Sequence, residues 1–116
     1  MNLAVSENLL LGVQESTNLI IQKPFVFASM DYKEFVYQEI TIPNATTDQQ
    51  FLLGKITTGK ILYSETSATL KVKVNSMGAT ALDVNKFLLL NSDYTALYLT
   101  NTSGQALTVK IIAVGV

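Results

Sequence analysis

Thr69-Leu-Lys-Val-Lys-Val-Asn75 alternates apolar and polar residues at every position, which is the period of two that a strand with one buried and one wet face requires. The pattern returns further along the chain and ends in Ala106-Leu-Thr-Val-Lys-Ile-Ile-Ala-Val-Gly-Val116. Between such runs stand clusters of Asn, Asp, Ser and Gly, the residues that turn a chain between strands. Candidate strands are 34–42, 50–56, 60–65, 69–75, 80–85, 87–90, 95–100 and 106–114. Breaks fall at Pro43-Asn44, Thr58-Gly59, Ser76-Met-Gly78 and Asn101-Thr-Ser-Gly104. The last reads as a hairpin turn, with Gly104 suited to a positive φ.

Strands this short and this closely spaced, with no helical periodicity between them, predict an all-β fold: a single antiparallel β-sandwich of jelly-roll or Greek-key type over residues 36–116. Leu70, Val72 and Val74, then Leu97 and Leu99, then Leu107, Val109, Ile111 and Ala113 share the parity expected of the core face. Lys71 and Lys73 take the wet face, and Lys60, Lys71, Lys73 and Lys110 are read as residues that blunt exposed sheet edges. In the final run Ile112 and Val114 lie on the same side as Lys110, so a neighbouring segment or another subunit is expected to cover them.

Residues 1–35 show no clean period. Leu9-Leu-Leu-Gly-Val13 and Leu19-Ile-Ile21 are apolar, Gly12 weakens a helix, and Phe25-Val-Phe27 follows Pro24. The segment is read as a strand-containing N-terminal arm packing on the sandwich or on a neighbour, with a short helix as the competitor. It has no basic stretch ahead of its apolar patch and so does not read as a signal peptide. No apolar run approaches the ~18 residues of a membrane-spanning helix.

Composition narrows the chemistry. The 116 residues contain no His, Cys, Trp or Arg, and the charged share is 15% with a formal net charge of -1. Without His or Cys the usual general bases, thiol nucleophiles and metal ligands are missing. The acids that can be paired on paper, Asp31 with Glu34, Glu39 with Glu65 and Asp83 with Asp93, read as scattered surface residues. Residues 43–50 hold a single carboxylate, too few for a calcium loop, and no glycine-rich phosphate cradle is present. No catalytic residue, metal site or cofactor is expected. Dispersed lysines argue against nucleic acid as a partner, and nothing points to a membrane. Tyr63, Tyr94 and Tyr98 offer rings to a surface glycan, the alternative reading; interface or cross-strand packing is the simpler role for them.

Gly59-Lys-Ile-Leu-Tyr63, Leu70-Lys-Val-Lys-Val-Asn75, Phe87-Leu-Leu-Leu90, Asp93-Tyr-Thr-Ala-Leu-Tyr-Leu-Thr-Asn101 and Val109-Lys-Ile-Ile-Ala-Val-Gly115 together resemble the small β-sandwich structural proteins of tailed-bacteriophage virions. The resemblance implies a non-enzymatic decoration, neck or tail accessory protein, made in the host cytoplasm and located in the virion. Its partners would be copies of itself in a homo-oligomer and other virion structural proteins. Candidate interface residues are Leu9, Leu10, Leu11, Phe25 and Phe27 in the arm, and Tyr98, Ile112 and Val114 outside the sandwich core.

Overall fold

The computed structural model describes the backbone of residues 3–4, 9–15, 18–25 and 31, and residues 32–116 in full. Two compact units result, Met1–Tyr32 and Lys33–Val116. In the first, β1 (Leu3–Ala4) pairs antiparallel with β4 (Asp31–Tyr32), and β2 (Leu9–Glu15) pairs antiparallel with β3 (Asn18–Phe25). These segments are strands, not a helix. Pro24 falls on an edge, as both strands of a two-stranded ribbon do, which is where strands accommodate proline.

The second unit holds eight strands: β5 (Glu34–Ile42), β6 (Gln49–Phe51), β7 (Gly59–Thr66), β8 (Leu70–Val74), β9 (Leu82–Val84), β10 (Phe87–Tyr94), β11 (Leu97–Thr100) and β12 (Leu107–Gly115). They form two antiparallel four-stranded sheets, in the orders β10-β7-β12-β5 and β6-β11-β8-β9, arranged as a β-sandwich. Ile42, Leu62, Leu70, Leu97, Leu99, Leu107 and Ile111 are almost wholly buried in one core cluster. Each such side chain contributes roughly 1.5–3 kcal/mol by leaving water.

Three local expectations are corrected. The Asn101–Gly104 turn does not close a hairpin, because β11 and β12 belong to different sheets and the segment carries the chain across the sandwich. Gly104 does adopt a positive φ of 90°. Asn101 itself is fully buried. Its Nδ2 donates to the Ile42, Pro43 and Gln105 carbonyls at 3.0, 3.1 and 2.7 Å, and its Oδ1 accepts from the Ser103 amide and hydroxyl at 3.0 and 2.7 Å. Second, residues 52–56 are a turn and not strand, although Leu53 and Ile56 are buried in the core. Ile56 N donates to Leu53 O at 3.1 Å and Gly54 takes φ 60°, so their apolar character reflects burial of a loop. Third, Asn91-Ser-Asp93 lies within β10, at a bulge opposite β7, and does not end the strand.

The lysines do not guard edges either. β7, β8 and β12 are interior strands, and three of the four lysines are ion-paired: Lys60 to Asp93 at 2.9 Å, Lys71 to Asp83 at 2.8 Å and Lys73 to Asp48 at 3.0 Å. Lys110 stands between Glu39 and Glu65 on its two neighbouring strands.

Among the described residues, Ser64 Oγ on β7 is a buried polar atom with no partner. A hydroxyl buried without a hydrogen bond costs about 1–3 kcal/mol of desolvation. Ser64→Ala is therefore expected to leave the fold intact and raise the free energy of unfolding by about 1 kcal/mol in urea denaturation. A loss of similar size would show that the hydroxyl is bonded in solution.

Candidate interaction surface

The outer face of the β10-β7-β12-β5 sheet carries a row of apolar and aromatic residues set by strand register. Leu89 opposes Tyr63, Tyr63 opposes Ile112, and Ile112 opposes Tyr37, so one row crosses all four strands. The next row is Phe87, Glu65, Lys110 and Glu39. On the other side lie Ile61, Val114 and Phe35, of which Ile61 and Val114 are buried. Phe35, Tyr37 and Phe87 are each more than half exposed, at 59%, 56% and 57%. The Tyr63 and Phe87 rings stack with centroids 6.4 Å apart.

Such a row is unusual for a face turned to water, since exposed side chains of a wet sheet face are normally polar. The other sheet supplies the contrast. Its outer face presents Lys71 paired with Asp83, Lys73 paired with Asp48, and Tyr98 opposed by Gln50 and Lys73. One outer face carries ion pairs, and the other carries an apolar row beside the charged Glu65–Lys110–Glu39 row.

The candidate interface residues therefore do not form one patch. Ile112 lies in the centre of the apolar row. Val114 is on the same face but buried, whereas Tyr98 is half-buried on the opposite sheet. In the first unit Leu9 and Phe25 are directly opposed partners of the β2–β3 ladder, with Leu10 and Leu11 following opposite Pro24 and Lys23. Phe27 lies outside the described residues. Sequence reading overlooked Phe35, Tyr37, Phe87 and Leu89. The signal was available in Glu34-Phe-Val-Tyr37, where apolar residues occupy both parities just as they do in Lys110-Ile-Ile-Ala-Val114.

The remaining polar groups do not converge. Glu39 and Glu65 flank Lys110 on an open face, with two strand spacings, roughly 10 Å, between their backbones. Asp83 and Asp93 are each held by a lysine. Glu65, Thr66, Ser67, Thr108 and Lys110 line a depression of about 160 Å³. Among the described residues no three carboxylates are grouped to hold a metal ion.

The three tyrosines considered for a glycan have separate fates. The Tyr94 ring is fully buried, and its hydroxyl donates to Ile61 O at 2.6 Å. Tyr63 stacks on Phe87 and donates to Glu65 at 3.3 Å; burial first, and then the Glu65 carboxylate, hold its pKa above 10.0. Burial pushes the Tyr94 hydroxyl up to about 12, opposed by a backbone hydrogen bond at Val114. A phenol whose folded pKa exceeds its unfolded value contributes stability that is complete below pH 10 and lost as pH rises through about 12. The wild type is thus expected to lose roughly 2–3 kcal/mol between pH 10 and 12 through this group. Tyr94→Phe should flatten that part of the profile in urea titrations at stepped pH, and an unchanged slope would remove Tyr94 as its source.

No protein-family model and no curated protein matches the chain. Among solved structures it is similar to the Schizosaccharomyces pombe Cnp3 cupin domain, at 12% identity, covering 96% of this chain and 84% of that chain, with a TM-score of 0.50. At that identity the likeness concerns the fold alone.

Proposed function

We propose that the chain is a non-enzymatic structural protein of a tailed-bacteriophage virion, a jelly-roll sandwich that assembles by protein–protein contacts into a capsid, neck or tail complex. The observation that carries this reading is the apolar row Leu89–Tyr63–Ile112–Tyr37, which crosses one whole sheet while the other sheet's outer face is ion-paired. A face of that composition lowers its free energy by being covered. The jelly-roll part rests on nested pairing: β5 with β12, β6 with β11, β7 with β10 and β8 with β9, the order produced when one long hairpin is rolled over on itself. The virion part rests on the resemblance of residues 59–115 to phage β-sandwich proteins.

Immunogold labelling tests it, using antibodies raised against the full-length protein. Label on phage particles purified by density gradient from the producing host is the expected result. Label confined to the soluble fraction, with particles bare, would overturn the reading.

A further inference from the structure

The sandwich has four edge strands, β10 and β5 in one sheet and β6 and β9 in the other. An unpaired edge offers a row of N–H and C=O groups to any other strand, and folded chains blunt such edges by shortness, bulges, Pro or Lys. Three of the four are blunted. β6 and β9 are three residues long. β10 is bulged between Asn91 and Tyr94. β5 is neither short nor bulged: it runs for nine residues, Glu-Phe-Val-Tyr-Gln-Glu-Ile-Thr-Ile, in unbroken register with β12, and its Lys and Pro, Lys33 and Pro43, stand outside the strand at its two ends. Among the described residues β12 is its only ladder partner.

We infer that β5 is the contact between two copies of this chain, which join by antiparallel β5–β5 pairing about a two-fold axis through Gln38. The inference deepens the structural-subunit reading by specifying its first interface. The strand is self-complementary about that axis. Gln38 is its middle residue, so all nine positions overlap: Glu34 faces Ile42 and Val36 faces Ile40 on the inner side, while Phe35 faces Thr41 and Tyr37 faces Glu39 on the outer side. No acid meets an acid, and the Tyr37 hydroxyl gains the Glu39 carboxylate of the copy as an acceptor. Moving the axis to Glu39 would set two carboxylates against each other. A shift by an odd number would turn the inner face outward. Moving it to Tyr37 would leave Thr41 and Ile42 unpaired. The joined sheet has eight strands, and the apolar row of one copy runs into the Glu39–Lys110–Glu65 row of the other, as an isologous interface requires.

The chain contains no cysteine, which makes the register directly testable in the full-length protein. Cross-strand partners lie about 4.5–5.5 Å apart at Cα, within disulfide range. Gln38, Thr41 and Phe35 are exposed, so single cysteines there should leave the fold unchanged by circular dichroism. Light scattering over a concentration series should show the 12.7 kDa chain doubling in mass. On mild oxidation Gln38→Cys should form a covalent dimer, and Thr41→Cys alone should not, because the axis puts the two copies of residue 41 about 20 Å apart. A mixture of Phe35→Cys and Thr41→Cys should cross-link as a heterodimer. A monomer at every concentration overturns the inference. So does an oligomer in which the thiol of the Gln38→Cys variant stays reduced, although that outcome leaves the subunit reading standing with another contact. Bare particles in the immunogold experiment, with the Gln38→Cys variant still cross-linking, would overturn the virion reading and keep the β5 pairing.

Discussion

Asn101→Asp is expected to cost about 3–5 kcal/mol at neutral pH, enough to unfold much of a marginally stable domain. The replacement keeps the Oδ1 acceptor that Ser103 uses but turns Nδ2, donor to three carbonyls, into a second carboxylate oxygen facing them. Asn101 is fully buried, so the new charge has no water to solvate it. Neutralisation is the escape. The carboxyl should titrate well above its unfolded pKa of about 3.9, so the penalty is smallest below that value and grows as pH rises through the folded one. Equilibrium denaturation of the variant at pH 4 and pH 8 checks this. Equal losses at both pH values would mean that the carbonyls find other donors and that Asn101 is not the clasp of the crossover.

Gly59→Ala should cost about 3 kcal/mol or more. Gly59 opposes Tyr94 across the β7–β10 ladder, and the aromatic ring lies directly over the glycine Cα, where a Cβ would overlap the ring itself. That ring cannot swing away, because it is fully buried and its hydroxyl is tied to Ile61 O. Overpacking a rigid core site costs about 1–3 kcal/mol, and loss of the tyrosine hydrogen bond adds to it. A double-mutant cycle with Tyr94→Ala separates this from any intrinsic effect of alanine. Tyr94→Ala alone loses about 3–5 kcal/mol, but in its background Gly59→Ala should cost under about 1 kcal/mol. Additive losses would show that the ring is not what excludes the methyl group.

Much of the sandwich is legible in the chain because alternation is local. Residues 34–42 are a strand over the whole expected range, and Leu70, Val72, Leu97, Leu99, Leu107, Val109, Ile111 and Ala113 are buried as their parity requires. The errors share a cause, since hydrophobicity reports burial and not the element that achieves it. Leu53 and Ile56 are core residues of a turn, and Tyr94, one of three rings considered for a glycan in the alternative reading, ends a bulged strand inside the core. The apolar row was only partly visible. Ile112 was identifiable because it breaks the alternation beside Lys110, but the alignment of Tyr37, Tyr63 and Leu89 with it depends on register between strands far apart in sequence.

By itself, then, the order of residues determined that this chain forms short antiparallel strands with one apolar face, and that it does so without His, Cys, Trp or Arg. Those properties follow from side-chain period and composition, which any window of the chain contains. Only the tertiary structure decided which strands are neighbours. Strand pairing in this sandwich joins the first strand to the last, β5 to β12, and nothing within either segment encodes its partner. That pairing turns Asn101 from a hairpin residue into a buried clasp, moves the lysines from edges to interior strands, and leaves β5 as the long edge without a bulge.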